Sequence, residues 1–454
     1  MNYASINPYT EEELSCYDLI SDDELEQKLS QAATSQKSWK QLAIIERVKI
    51  IAKLGELLKS NHEKLALLAS VEMGKPIAEA RLEVLKCARA CEYYAINAEN
   101  FLQPIESISD IGKKVVMQYE ALGVVLGVFP WNFPYWQIIR SAVPITLAGN
   151  SILVKPAPNV PQCSLTLQQL IDDAGFPKGV IEIIFADEKQ VATLLADDRI
   201  HAATLTGSEK AGSSVASQAA KHIKKSVLEL GGSDPFIVMA DADFEYTLDK
   251  AIVARFQNNG QSCIAAKRFI VDKKIIETFL ASLKIRMNKL ECGNPIEDNT
   301  TVGPLARIDL LQKLTNQVND SVKSGAKIYY QQTKMPFKGY FYPPTLLVDI
   351  PKDCVAYREE LFGPVVSVYS YQSIEEAITI ANDTEFGLGA SIWSTDVNAA
   401  SLVASKIECG QVFINDIVKS QLGYPFGGTK KSGFGRELGE NGMYEFCNLK
   451  TIWI

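Results

Sequence analysis

From Leu42 to Leu58 the apolar residues Ile44, Ile45, Val48, Ile51, Leu54 and Leu58 recur at helical spacing. They predict an amphipathic helix. Ser21-Asp22-Asp23-Glu24 reads as a capping box that opens an earlier helix, and helical character runs on to about Asn100. Then the pattern changes. KVVMQYE (114–120) and GVVLGVF (123–129) read as strands, and from there strands and helices alternate. SILVK (151–155) is strand-like and 161–174 helix-like; VIEIIF (180–185), HAATLTG (201–207) and SVLELGG (226–232) are further strands. A second α/β set runs from about Asp234 to Ile414, with strand candidates KRFIVD, AKIYY, VVSVYSY, LGASIW and GQVFIN. Short β-rich runs separated by helices mean βαβ units, hence an α/β fold with parallel sheets covered on both faces.

Length adds that 454 residues are too many for one core. The hydrophobic fraction of 47% and charged fraction of 22% are ordinary for a globular protein. A net charge of −8 argues against nucleic acid or an anionic membrane as a partner. The start, MNYASINPYTEEEL, has neither the basic region nor the apolar core of a secretory signal. ALGVVLGVFPW is too short to span a bilayer. Nine scattered cysteines predict reduced thiols in a cytoplasmic protein. Cys87 and Cys91, four apart on a helix, read as core packing. Three histidines without a ligand cluster argue against a histidine triad and a zinc hydrolase, so no metal is expected.

Four constellations carry candidate chemistry. FQNNGQSCIAAKR (256–268) sets Cys263 among small and amide residues, either as a buried hydrophobe or as a reactive thiol. TLTGSEKAG (204–212) ends a strand at Gly207 and opens a helix at Ser208, where N–H groups and the helix dipole suit an anion. Its G-S-x-x-x-G spacing is not the dinucleotide fingerprint. In VLELGGSDP (227–235) Glu229 closes an apolar strand, where desolvation should raise its pKa. It is either a general base or a structural glutamate. In FPWNFPYWQIIRSAVP (129–144) Pro130 and Pro134 fix the backbone around Asn132, an amide suited to an oxyanion. Arg140, in an apolar segment, needs an anion, internal or from a substrate. YPFGGTKKSGFGRELG (424–439) is glycine-rich and implies close backbone approach.

PWNFP, the strand–GSxxxG turn, ELGGSDP, GQSC, EELFGPV and PFGGTKKSGFGRELG occur in one order along the chain. Together they resemble the aldehyde dehydrogenase superfamily from about residue 5 to the end, most closely its shorter bacterial succinate-semialdehyde dehydrogenase branch. The resemblance implies Cys263 as nucleophile, Glu229 as general base and Asn132 as oxyanion amide, helped by the backbone N–H of Cys263. It implies cofactor contacts at Trp131, Lys155, Pro158, Gly207, Ser208, Glu360 and Phe362. Substrate contacts fall on Arg140, Ser420 and Phe426, with Arg140 and Ser420 on a carboxylate.

Gln257 stands where some members of that branch carry a further arginine, and Ala265 stands where some relatives carry a second, redox-active cysteine. The expected reaction is oxidation of succinate semialdehyde to succinate. Glutarate semialdehyde, one methylene longer, is an alternative; a cofactor-free cysteine esterase and a non-catalytic scaffold are alternatives from other classes. Pro158 replaces the glutamate that strictly NAD-using relatives place there, so NADP is expected to be accepted, along with NAD.

The implied architecture has two Rossmann-like parallel-sheet domains and a small β oligomerisation element. Residues 1–103 and 122–230 would bind cofactor, 231–435 would carry catalysis, and 104–121 with 436–454 would form a homodimer or homotetramer contact. The strand NLKTIWI would otherwise be an exposed apolar edge.

Overall fold

The computed structural model of the chain describes residues 3–454. Ser21 opens the helix Asp22–Trp39 through a capping box with Glu24. The periodic segment forms the helix Ile44–Ser60, with Ile51, Leu54 and Leu58 buried. Cys87 and Cys91 are buried on the long helix Ile77–Phe101.

The first large sheet has six strands in the spatial order Gly433–Phe434, Lys225–Glu229, Ile200–Thr206, Val124–Val128, Ser151–Lys155, Ile181–Ile183. All pair in parallel except the edge strand Gly433–Phe434. The chain starts in the middle at Val124–Val128, winds outward twice, then returns to lay Ile200–Thr206 on the other side. The order therefore reverses between these two strands. A crevice opens at such a switch point, outside the carboxyl ends of the strands. Here those ends lead into Phe129-Pro130-Trp131-Asn132 and Gly207-Ser208.

The second sheet has seven strands: Lys327–Gln331, Thr345–Val348, Val365–Tyr371, Ala266–Asp272, Asp234–Val238, Gly389–Trp393 and Gln411–Ile414. Only its edge strand Lys327–Gln331 is antiparallel. The strand Asp234–Val238 was hidden inside the ELGGSDP motif; it sits beside Ala266–Asp272 and is buried throughout. Both sheets are thus parallel inside and antiparallel at one edge, where a parallel neighbour with its crossover helix is not needed. Residues 433–434, which the resemblance assigns to the catalytic part 231–435, hydrogen-bond to the first sheet. Leu230 N–H also donates to Ser432 O there at 3.0 Å.

A third, three-stranded antiparallel sheet joins Cys447–Trp453, Lys114–Ala121 and Ile105–Ile108. Its outer strands leave Ile105, Ile108, Leu449 and Trp453 exposed. No helix among the described residues is long and apolar enough to cross a membrane.

Candidate active site

Only four residues, Leu230 to Ser233, connect the last parallel strand of the first sheet to the first strand of the second. The connection is tight because Gly231 and Gly232 have no side chain. A Cβ on Gly232 would lie 2.6 Å from the carbonyl oxygen of Cys263. The amino end of the strand Ala266–Asp272 is thereby brought against the carboxyl end of the first sheet, and Cys263 enters the crevice.

The loop before Cys263 is held in an unusual shape. Asn258 and Asn259 both take the left-handed conformation, with φ of 54° and 58°, which asparagine tolerates better than most residues. The Asn258 side chain donates to Asn132 O at 2.8 Å and to Gln261 O at 3.0 Å. Asn259 bonds Gly74 O, Pro304 O and Gly303 N–H. Asn258 thus ties the nucleophile's loop to the backbone of the amide residue. Sequence reasoning missed it, although the Asn-Asn-Gly run is itself a signal for left-handed turns.

A cleft of about 320 Å³ lies at the switch point. Cys263, Trp131, Asn132, Gly207, Ser208, Glu360 and Phe362 line it. Asn132 uses one amide hydrogen on Gln261 O at 3.0 Å, which leaves the second for an oxyanion. Trp131 and Phe362 meet edge to face, 5.9 Å between centroids. Gly207 N–H donates to Glu229 O at 2.9 Å, and Ser208 caps the helix Glu209–Lys221 by accepting from Ala211 N–H. Glu360 is held by Lys267 at 3.0 Å and by Gly232 N–H at 3.2 Å. Lys267 also donates to the carbonyls of Ser262 and Cys263. This lysine carried no signal in sequence.

Lys155 ends the strand next to Val128, and its carbonyl accepts from Phe129 N–H at 3.0 Å. Its ammonium lies 5.7 Å from the Tyr3 ring and makes no ion pair among the described residues. Pro158 O accepts from Ala4 N–H. These two residues lie outside the lining of the cleft that holds Cys263.

Burial pushes the Cys263 thiol up to about 12, while Lys267 and then Arg140 pull it down. Glu229 is 3% exposed, and neither carboxyl oxygen has a hydrogen-bond partner. Burial first, then Glu437, raises its carboxyl well above the usual range, against Arg140 and Arg436. Gly427 lets this carboxyl lie against the backbone, because a Cβ there would stand 2.7 Å from Glu229 Oε1. A carboxyl so raised is a stronger base than an ordinary carboxylate.

Arg140 lies on the helix Trp136–Leu147 and is buried. Its Nε is 2.5 Å from Glu437 Oε2, without the alignment of a hydrogen bond, and its Nη2 donates to Thr206 Oγ1 at 3.2 Å. Its guanidinium stands 5.2 Å from the Phe426 ring. The internal carboxylate that the sequence left open is therefore present. Ser420 contacts Lys86, a residue sequence reasoning did not single out.

Fold and site together define an enzyme with a cysteine at a nucleotide-type crevice between two α/β sheets. The family model for the aldehyde dehydrogenase family matches residues 1–452, and the chain belongs to that family. It is 45% identical over 454 residues to a protein of Synechocystis sp. named probable succinate-semialdehyde dehydrogenase, NADP(+), covering 100% of both. It is 42% identical over 449 residues to the Escherichia coli K12 succinate semialdehyde dehydrogenase, NAD(P)+, covering 99% of this chain and 97% of that one. A crystal structure of succinic semialdehyde dehydrogenase from Streptococcus pyogenes in complex with NADP+ superposes with a TM-score of 0.98 at 36% identity, covering 100% and 99%.

Proposed function

We propose that this chain oxidises succinate semialdehyde to succinate with NADP or NAD as hydride acceptor. The observation that carries the reading is Cys263 and Asn132 in the lining of one crevice, with Arg140 and Glu229 close enough to act electrostatically on the thiol. The Cys263 sulfur, once deprotonated, adds to the aldehyde carbon. The free amide hydrogen of Asn132 and the Cys263 N–H stabilise the oxygen that becomes negative. The oxidised nicotinamide supplies the acceptor for the hydride that leaves this carbon. Glu229 then takes a proton from water, which attacks the acyl-sulfur bond and releases the acid.

The residues present fit a dinucleotide. A capped helix start at Ser208 would take the pyrophosphate, and Glu360 and Phe362, in the lining of the crevice, would hold the ribose and the nicotinamide ring. Lys155 offers an ammonium without a carboxylate, and Pro158 brings no charge to repel a 2′-phosphate. Arg140, Ser420 and Phe426 are the proposed substrate side. The names borne by the similar proteins support the same substrate and both cofactors.

We place the protein in the cytoplasm, as a homodimer or homotetramer that covers the exposed apolar edge of the small sheet. The domain division at residues 104, 122, 231 and 436 belongs to the same proposal.

The test is direct. Purified protein is mixed with succinate semialdehyde and NADP or NAD, and reduced nicotinamide is followed by absorbance. Turnover with NADP is expected. Turnover of other aldehydes but none of succinate semialdehyde would sink the substrate assignment.

A further inference from the structure

The stretch Gly74 to Glu83, at the start of the helix Ile77–Phe101, touches both loops that build the reacting centre. Gly74 O accepts from the Asn259 side chain at 2.8 Å. A Cβ on Gly74 would stand 2.4 Å from Pro304 O, so only glycine lets the backbones meet there. The Lys75 ammonium lies 3.9 Å from the centroid of the Phe133 ring and pairs with Glu83. Glu83 Oε1 accepts from the N–H groups of Tyr135 and Trp136 at 2.9 and 3.0 Å. Between these sits Glu79, in the first turn of the helix. Its Oε2 accepts from Asn258 N–H at 2.5 Å.

We infer that Glu79 is a positioning residue for the oxyanion site: by holding the backbone of Asn258 it fixes the groups that orient the Asn132 amide. The inference rests on the proposed role of Asn132. The chain of contacts is short. Asn258 is fully buried and left-handed, with φ of 54° and ψ of 38°. Its side chain donates to Asn132 O and to Gln261 O, and Gln261 O is also the acceptor for the Asn132 amide. Gln261 N–H in turn donates to Asn258 O at 2.9 Å. One residue therefore sets both the backbone and the side chain of Asn132, and its own N–H is held by Glu79.

The energetics agree. A left-handed residue other than glycine is strained, least so for asparagine, and persists only where its surroundings hold it. Without the Glu79 carboxylate the Asn258 N–H would be a buried donor with no partner, and the turn would gain by relaxing. The helix dipole favours a carboxylate in the first turn, so Glu79 is suited to this bond. Burial raises its carboxyl to about 7, opposed by the Asn258 N–H and then by Lys75. Lys75 is itself paired with Glu83, which leaves Glu79 to Asn258. An oxyanion donor works only at the right distance and angle, so a small shift of the turn costs rate.

The experiment is a double-mutant cycle on the full enzyme with succinate semialdehyde and NADP. Glu79→Ala should lower kcat about 10- to 100-fold, with KM within a few-fold of wild type. Glu79→Gln, which keeps an acceptor oxygen at the same reach, should recover most of that loss. Asn132→Ala should lower kcat by about 10² to 10³. The two alanine changes together should cost no more than Asn132→Ala alone, because the amide that Glu79 positions is gone. NADP affinity, by fluorescence titration, should stay within a few-fold of wild type throughout.

Losses that multiply in the double variant would overturn the inference, since a merely structural Glu79 weakens the enzyme whether or not the amide is present. So would a Glu79→Gln variant as slow as Glu79→Ala, or a Glu79→Ala variant as fast as wild type. In each of these cases the oxyanion role of Asn132 stands. An Asn132→Ala variant with full activity would overturn that role and the inference together. If Glu79→Ala does not fold, Glu79→Asp takes its place in the cycle. One methylene shorter, it should slow the enzyme several-fold, and that loss should also vanish beside Asn132→Ala; losses that multiply count against Glu79.

Discussion

The two walls of the active site are built in different ways. The proposed cofactor wall begins with backbone at the ends of adjacent strands, Gly207 and Ser208 after one and Pro130 to Asn132 after another, and Glu360 and Phe362 close it from in front of a strand of the second sheet. Its segments are few, and most of its shape follows from the strand order of the first sheet. The proposed substrate wall is made of side chains from far apart in the chain. Arg140, Ser420, Phe426 and Glu437 come from one helix and the last loops, and each is placed by packing. A wall made by topology carries a class of cofactor; a wall made by side chains is where a substrate can be chosen.

The largest effect that would test this division falls on the residue between the walls. Cys263→Ala should abolish aldehyde oxidation, by roughly 10⁴-fold or more, as expected for loss of a nucleophile. NADP binding, followed by fluorescence titration, should stay within a few-fold of wild type. A variant that lost cofactor affinity as well would show that the walls are not separable. Asn132→Ala comes next. It should lower kcat by about 10² to 10³, the usual cost of removing one oxyanion donor. It should do so equally for succinate semialdehyde and butanal, because in the proposed mechanism the amide serves the reacting carbon and not the far end of the substrate.

A third test reads the thiol itself. Burial holds Cys263 at about 12, so below that value the thiolate fraction grows about tenfold per pH unit. Alkylation of Cys263 by iodoacetamide, measured on its peptide by mass spectrometry, should rise roughly 100-fold from pH 7 to pH 9 without a plateau. A plateau below pH 8 would mean that Lys267 and Arg140 outweigh desolvation.

Much of the fold was legible because it rests on periodicity. The helix at 161–174 and the strands SILVK and HAATLTG follow from short apolar runs with turn residues between them. The strand Asp234–Val238 was not, because Gly-Gly-Ser-Asp-Pro reads as a turn, and only burial in the middle of the second sheet overrides that signal. The edge strand Gly433–Phe434 is two residues long, too short for any period.

At the site, Glu229 could be weighed from sequence because burial of a carboxylate at the end of an apolar strand is a local property. Whether Arg140 meets an internal carboxylate is a long-range property: Glu437 lies almost 300 residues away along the chain. Lys86 was invisible for the same reason. Its neighbours along the sequence are ordinary helix residues, and only the fold brings it to Ser420 and Trp136.

The smallest effect is the one most able to break the comparison. Ser208 is exposed, and its hydroxyl accepts from Ala211 N–H at 3.3 Å, so Ser208→Ala should cost about 0.5 to 1 kcal/mol through the lost cap. In a protein of this size that is a small drop in Tm, measurable by thermal denaturation of the free enzyme. If the cofactor wall is mainly backbone, the N–H groups at the start of the helix remain, and the affinity for NADP should fall only a few-fold. The stabilisation of the variant by saturating NADP should then nearly match that of wild type. A loss approaching 100-fold would mean that this hydroxyl, and not the strand–helix turn, recognises the nucleotide. The cofactor wall would then be as dependent on individual side chains as the substrate wall.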